Sequence, residues 1–232
     1  MSSEIKNNKI ANTLIIGGLS GLGLEIGKLF ALKSNIYATS RTVDASVPYF
    51  NQVELSINEN VETLKTRLNK LVNDLPTIDT LIYNAGFFED GHIDQLEDNH
   101  IQKMINVGIT APALLLQRLL KKQEQLRGLI IITSTSQWTP REYEPLYCAT
   151  KAGLAMLAKS VSLDVMVKKT LVVGPTGMTT KFWTNTIKKT EGMLSPELVA
   201  KNIFYLWEAE YEYRLSRILR DPVRVEILES RP

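Results

Sequence analysis

Hydrophobic positions along the chain fall into two rhythms. Short compact apolar runs occur at Thr13–Ile16, Ile36–Thr39, Val53–Leu55, Asp79–Tyr83, Leu129–Thr133 and Leu171–Val173, and they read as strands. Between them lie longer segments with helical spacing, such as Val61, Leu64, Leu68, Leu71 and Val72 on one face of a 3.6-residue repeat. A helix follows the first strand to about Leu32, a long one covers roughly Asp98–Gln125, and another begins near Tyr147. Ser195-Pro196-Glu197 opens a further helix, with serine as cap and proline in the first turn. The second and third strands lie so close together that any helix between them must be minimal. Val223–Leu228 reads as a seventh strand, and Glu208–Arg220, dense in charged and aromatic residues, as an amphipathic, partly exposed segment. Strands alternating with helices predict an α/β fold, a Rossmann-like doubly wound parallel sheet, forming a single domain over residues 1–232.

Composition narrows the classes of function. Of 232 residues, 44% are hydrophobic and 22% charged, as in an ordinary globular protein. The net charge is +2 and no more than two basic residues adjoin, so neither nucleic acid nor an acidic membrane surface is expected as a partner. The apolar runs are too short to span a bilayer, and Met1–Lys9 is polar, without the apolar core of a secretory signal. A single cysteine and two scattered histidines, His92 and His100, lead us to expect no disulfide framework, no metal site and a cytoplasmic location.

Candidate chemistry begins at Gly17-Gly18-Leu19-Ser20-Gly21-Leu22-Gly23, where the first strand gives way to a helix. Glycines let a backbone turn tightly and approach a pyrophosphate, whose charge then rests on the helix N-terminus. Ligands of doubly wound sheets bind outside the carboxyl ends of the strands, where this turn lies. At the end of the second strand stands Thr39-Ser40-Arg41. An acid there would hold the ribose 2′-hydroxyl of NAD, whereas Arg41 suits the 2′-phosphate of NADP. Tyr147 and Lys151, four apart on one helix, can approach each other. A lysine charge about 5 Å away at an effective dielectric of ~20 is worth roughly 3 kcal/mol, enough to lower a phenol by about two pKa units.

Gly17-x-x-x-Gly21-x-Gly23, Asn84-Ala85-Gly86, the hydroxyl cluster after Leu129–Thr133 and Tyr147-x-x-x-Lys151 occur in an order that resembles the short-chain dehydrogenase/reductase family. The resemblance covers Thr13 to about Glu208. It implies hydride transfer between a substrate carbon and a nicotinamide cofactor, with interconversion of a carbonyl and an alcohol; Arg41 makes NADP(H) the expected cofactor in preference to NAD(H). The tyrosine exchanges a proton with the substrate oxygen, the lysine lowers the phenol pKa and holds the nicotinamide ribose, and a serine fixes the substrate oxygen. Gly17, Leu19, Ser20, Gly21, Leu22 and Gly23 would border the cofactor phosphates, and Glu54 and Leu55 its adenine. Asn84, Ala85 and Gly86 would lie along the adenosine ribose, with Pro175, Thr176, Met178 and Thr180 near the nicotinamide. A homodimer or homotetramer is also implied. Counting back from Tyr147 places the serine at Ser134, and counting forward from Gly128 at Thr135; Ser134 is preferred, with Thr135 as competitor and Ser136 on Ser134's face of an extended strand.

Departures from the family pattern bear on mechanism. The family's asparagine on the long helix, which supports a proton-relay water, falls at Gly108 when counted from Asn84 and from Ile109-Thr110-Ala111-Pro112. Asn106 is two residues away, a rotation of about 200° on an α-helix, and is assigned a structural role. Ile16, Tyr83 and Thr176 also replace common family residues, and little chain remains between Pro175 and Ser195 for a substrate lid. Phe182, Trp183 and Met193 either line the pocket or pack against the domain, and Trp138 and Tyr143 either border the substrate or are structural. These departures keep open an alternative, a dinucleotide-binding regulator that retains the fold without turnover.

Overall fold

The computed structural model describes residues 10–58, 60–184, 186 and 188–232. Eight strands form one sheet: β1 (Ala11–Ile16), β2 (Ser34–Ser40), β3 (Asn51–Glu54), β4 (Thr80–Tyr83), β5 (Gly128–Ile132), β6 (Thr170–Pro175), β7 (Tyr213–Leu219) and β8 (Arg224–Arg231). Their order is β3-β2-β1-β4-β5-β6-β7-β8. All pairs are parallel except β7 with β8. The order reverses between β1 and β4, which opens the crevice at their carboxyl ends where such sheets bind ligands.

Side-chain alternation divides the apolar residues of each strand between two layers. Ile15, Ile82, Ile130, Ile132, Leu171 and Val173 meet α1 (Gly21–Phe30) and α6 (Pro196–Glu208) through Ile26, Phe30, Val199 and Ile203. Leu14, Ile16, Leu81, Leu129, Ile131 and Val172 face the other way. They pack on Leu64, Leu68 and Leu71 of α2 (Val61–Asp74), on Leu115 and Leu119 of α4 (Ala111–Lys122), and on Leu154 of α5 (Pro145–Val161). The central strands are buried on both faces, which explains their near-continuous apolar runs.

Two elements differ from the sequence expectation. The long helix over Asp98–Gln125 is divided into α3 (Asp98–Ile105), a π turn (Asn106–Thr110) and α4, which ends at Lys122. Pro112 has no N–H to give the Gly108 carbonyl, and its ring crowds that carbonyl in a regular helix. The backbone responds with a wider turn, in which Ala111 N–H reaches the Asn106 carbonyl five residues back. The helix stops because Gln123 turns its side chain inward to bond both the N–H and the carbonyl of Ile78. At the C-terminal end, the seventh strand is not Val223–Leu228 but Tyr213–Leu219, inside the segment read as amphipathic. Its buried positions, Tyr213, Ser216 and Ile218, are interleaved with arginines that hide the strand signal. Arg224–Arg231 then returns as the antiparallel edge, with Arg231 bonded to the Ser162 carbonyl beyond α5. Residues 41–50 between β2 and β3 contain no helix, as the short spacing required.

Candidate active site

The glycine turn after β1 is stapled from both sides. Gly17 N–H is bonded to Thr39 Oγ1 at 3.2 Å and Gly18 N–H to the Thr39 carbonyl at 2.9 Å. Asn84 Nδ2 donates to the Gly17 carbonyl at 2.9 Å. Gly17 and Gly21 have φ of 78° and 49°, in the left-handed region that glycine adopts readily. Gly23 is needed for space, since a Cβ there would stand 2.0 Å from the Gly17 oxygen. The first N–H groups of α1 have no acceptors within the helix, and the Ser20 side chain does not cap them. This cradle fits a dinucleotide phosphate through its backbone. Leu19 and Leu22 send their side chains into the core, so only their main chain can face a ligand.

Other positions assigned from sequence surround the same crevice. Arg41 is exposed just past the end of β2, and Glu54 is exposed at the end of β3. Leu55 is buried in the core, its N–H bonded to the Ser40 carbonyl. Ala85 packs on Gly17, and Gly86 lies between Phe182 and the Lys151 ammonium. Pro175 ends β6, and Thr176 is tied to β7 through the Ile218 carbonyl while its hydroxyl is buried without a partner. Thr180 rests its methyl group against Gly21, and Met178 packs towards the α1–α6 core, its carbonyl accepting from the Trp183 indole.

Tyr147 and Lys151 project from the first two turns of α5 towards the carboxyl ends of β4 and β5, and both are buried. Lys151 Nζ donates to the Ile132 carbonyl at 3.2 Å and lies 5.6 Å from the Tyr147 ring centroid. Ser134 is the hydroxyl that acts on Tyr147, favouring the ionised phenol. Thr135 turns the other way, its hydroxyl accepting from Arg141 at 3.4 Å. Of the two serine readings, the geometry therefore favours Ser134.

Electrostatics depart from the expectation that Lys151 depresses the phenol. Burial raises the Tyr147 pKa well above the ordinary tyrosine value, and the Glu144 carboxylate raises it further; the Ser134 side chain opposes them. Burial also pushes Lys151 down to about 8. The desolvation of both groups outweighs their mutual effect. Tyr147 is thus protonated at neutral pH, the form that donates a proton.

Aromatic rings close the space above the hydroxyl. Phe88 meets the Tyr147 ring edge-on at 5.1 Å between centroids, and Phe182 lies at 6.2 Å. Trp183 is edge-on to both Phe88, at 5.3 Å, and Phe182, at 4.8 Å. Phe182 and Trp183 form a short 3₁₀ turn (Lys181–Trp183) capped by Thr180. They line the site as one of the two sequence readings had it, whereas Met193 packs on Gly177 and Trp138 on Gly174. Tyr143 stacks near His92 at 4.7 Å, away from Tyr147.

Asn106 is fully buried, with Nδ2 bonded to the Asn58 carbonyl and Oδ1 accepting from Gln102. Gly108 lies directly against Thr150 of α5. Tyr83, at the first position of the family's usual Asn-Asn-Ala-Gly, donates its hydroxyl to the Val107 carbonyl at 2.6 Å and so holds the π turn to β4. Sequence reasoning missed Glu144 and Phe88. Glu144 carried a signal, since an acid three residues before Tyr147 shares its side of the helix start. Phe88 had none beyond its place two residues after Gly86.

A family model described as short chain dehydrogenase matches residues 11–191. Among relatives, the Rickettsia felis 3-oxoacyl-acyl-carrier-protein reductase FabG is 28% identical over 162 residues, 67% of each chain. A benzil reductase ((S)-benzoin forming) of Bacillus subtilis is 29% identical over 161 residues, 65% of this chain and 66% of its own. The solved short-chain dehydrogenase from Sphingobium yanoikuyae in complex with NADPH superposes with a TM-score of 0.78 at 17% identity, over 89% of this chain and 87% of its own. With the family model matched over most of its length, the chain belongs to the short-chain dehydrogenase family of NAD(P)-dependent oxidoreductases.

Proposed function

We propose that this protein reduces a carbonyl to an alcohol with NADPH as hydride donor, Tyr147 supplying the proton. The observation that carries the reading is the convergence of Ser134, Tyr147 and Lys151, with the phenol held protonated by burial beneath an aromatic wall. A bound nicotinamide supplies hydride to the substrate carbon. The chain's part is to hold the oxygen and neutralise its developing charge. Ser134 and Tyr147 would grip the carbonyl oxygen, and Tyr147 would pass its proton as negative charge grows there. Lys151, fixed by the Ile132 carbonyl, would present a positive charge that stabilises the resulting tyrosinate.

Gly17, Ser20, Gly21 and Gly23 would hold the phosphates by backbone contact, with Leu19 and Leu22 contributing only their main chain. Exposed Arg41 and the lack of an acid at the end of β2 support NADP over NAD. The NADPH complex of the Sphingobium neighbour agrees with that choice. Phe182, packed on Gly86, would border the dinucleotide. The small substrate, the cytoplasmic setting and a homodimer or homotetramer belong to the same proposal. Leu115, Leu116 and Leu154 are core residues, and Met156 is a large apolar side chain that α5 exposes.

The test is Tyr147→Phe assayed by NADPH oxidation over a panel of aldehydes, ketones and quinones. Turnover should fall by about 10²–10⁴-fold, the usual worth of a general acid, while NADPH binding persists. Retained turnover overturns the role of Tyr147. Tight NADPH binding by the parent protein without oxidation by any carbonyl would favour the regulator instead.

A further inference from the structure

Glu144 is a buried acid that the proposed reaction does not use. It stands at the N-cap of α5, is 4% exposed, and makes no capping bond to the helix. Its carboxylate accepts from Ser136 Oγ at 3.0 Å, and Ser136 Oγ accepts from Ser134 Oγ at 3.1 Å. Ser134 Oγ also accepts from Ser136 N–H, and its side chain favours the ionised form of Tyr147. Two hydroxyls and one carboxylate therefore form a hydrogen-bonded chain from Ser134, the hydroxyl acting on Tyr147, out to Glu144. At its outer end Glu144 meets Lys188 Nζ at 2.5 Å and Arg141 Nε at 3.7 Å, both on side chains that reach solvent. The family's usual relay is altered on the opposite side: Gly108 has no side chain, and Asn106 is engaged with Asn58 and Gln102.

We propose that Glu144 exchanges the Tyr147 proton with solvent through Ser136 and Ser134. The inference rests on the function proposed above. In reduction, hydride adds to the substrate carbon and the Tyr147 O–H proton goes to the substrate oxygen, leaving tyrosinate. Ser134 then gives its proton to the tyrosinate, Ser136 gives one to Ser134, and the Glu144 carboxylate passes to Ser136 a proton taken from water near Arg141 and Lys188. Glu144 ends as the carboxylate it began as. One proton enters per carbonyl reduced, and the hydroxyls end as they began. Alcohol oxidation runs the same chain in reverse, the direction in which the Ser134–Ser136 and Ser136–Glu144 hydrogen bonds point here.

The charged and titratable groups around the chain are Arg141, Lys188 and Cys148 beside Glu144, with Lys151 beside Tyr147. Glu144 is a positioning residue, acting on substrate only through the hydroxyls. Its test needs a readout that a structural role leaves unmoved. Full-length Glu144→Gln, Ser136→Ala and Ser136→Thr would be compared with the parent in NADPH-driven reduction of benzil. The variables are kcat against pH and KM for NADPH. Glu144→Gln and Ser136→Ala should lower kcat at least about tenfold, part of the usual worth of general acid–base catalysis, with NADPH KM unchanged. The pH profile should shift as well. Ser136→Thr, which keeps the hydroxyl, should recover most of the rate.

Independently of turnover, Tyr147 can be titrated by NMR with ring-labelled tyrosine. Removing the Glu144 charge should lower the pH at which the phenol ionises. An unchanged phenol titration in Glu144→Gln, or kcat and pH profiles within twofold of the parent in both variants, overturns the relay and leaves the reductase intact. A parent protein that fails to reduce benzil or any carbonyl of the panel removes both proposals. If Glu144→Gln does not fold, Ser136→Ala with its threonine rescue decides alone.

Discussion

Gly108→Ala would place a Cβ 2.6 Å from Thr150 Cβ and 3.1 Å from Thr150 Oγ1. Non-bonded carbons rest about 3.5–4.0 Å apart, so the π turn and α5 would have to part by about 1 Å. Both atoms are Cβ carbons, and neither can rotate away. Thr150 is further held by its hydroxyl, which donates to the Tyr147 carbonyl at 3.0 Å. Overpacking of this kind costs about 1–3 kcal/mol, and the upper half applies where no side chain can yield. Alanine's better helix propensity returns about 1 kcal/mol. The net expectation is a loss of about 1–2 kcal/mol, or a fall of about 2–8 °C in Tm for a chain of this size. Urea and thermal unfolding of the cofactor-free protein would measure it. Thr150→Gly removes the opposing Cβ, so the double variant should be less destabilised than the two singles summed, by about 1 kcal/mol or more. Gly108→Asn should be worse than alanine and should not restore the family's relay. An alanine variant as stable as the parent, or strictly additive losses, would refute the close crossing and reopen the place of the family's asparagine.

Three further outcomes follow from the site. Lys151 is held at about 8 by burial, below its ordinary 10.5. Below pH 8 the folded protein carries the full cost of a buried charge, about 3 kcal/mol, and the cost disappears between pH 8 and 10.5 as the unfolded chain alone keeps its proton. Lys151→Met should therefore stabilise the cofactor-free protein at pH 7, with a smaller gain at pH 9.5, by urea unfolding at each pH; a gain that grows with pH would contradict the burial. Phe182→Ala should tighten NADPH binding several-fold in a fluorescence titration if the ring over Gly86 competes with the dinucleotide; weaker binding would make Phe182 part of the cofactor's wall. Arg41→Ala should weaken NADPH by about ten- to a hundredfold, the worth of a charge-assisted bond to phosphate, without changing NADH; equal effects on both would remove the preference.

The parallel sheet was legible because its central strands are buried on both faces and carry little but apolar residues. The same rule failed at β7, a strand near the sheet's edge whose half-buried positions include Arg214 and Arg217 among buried Tyr213, Ser216 and Ile218. Charge density there outweighed the buried positions. The glycine turn, Asn84-Ala85-Gly86 and the Tyr147–Lys151 spacing could be read because each is a local backbone or helix-face requirement. The π turn was less accessible, since it depends on Pro112 acting on a carbonyl four residues back while Tyr83 holds Val107 from another strand. Ser134 and Thr135 could not be separated by counting, because the strand leaves regular alternation at Ser134 and enters a 3₁₀ turn. Only contacts across the fold, Tyr147 on one and Arg141 on the other, tell them apart.

Burial, rather than pairing, sets the chemical state of the dyad, and this bears on the direction of catalysis. Lys151 was expected to help Tyr147 ionise through a charge about 5 Å away, yet both are buried, Tyr147 against Phe88 and Phe182 and Lys151 against the Ile132 carbonyl. Desolvation penalises the charged form of both groups, so the phenol stays protonated while the ammonium becomes easier to discharge. A protonated phenol is ready to give a proton to a carbonyl oxygen and poorly placed to take one from an alcohol. The Glu144 charge acts in the same sense, because it too opposes tyrosinate. Oxidation therefore needs Glu144 to accept the phenol proton along the hydroxyl chain, whereas reduction needs it only to refill Tyr147 afterwards. Burial favours the proton on Tyr147 and disfavours it on Lys151, so the protonated phenol and the stability cost at Lys151 have one physical origin.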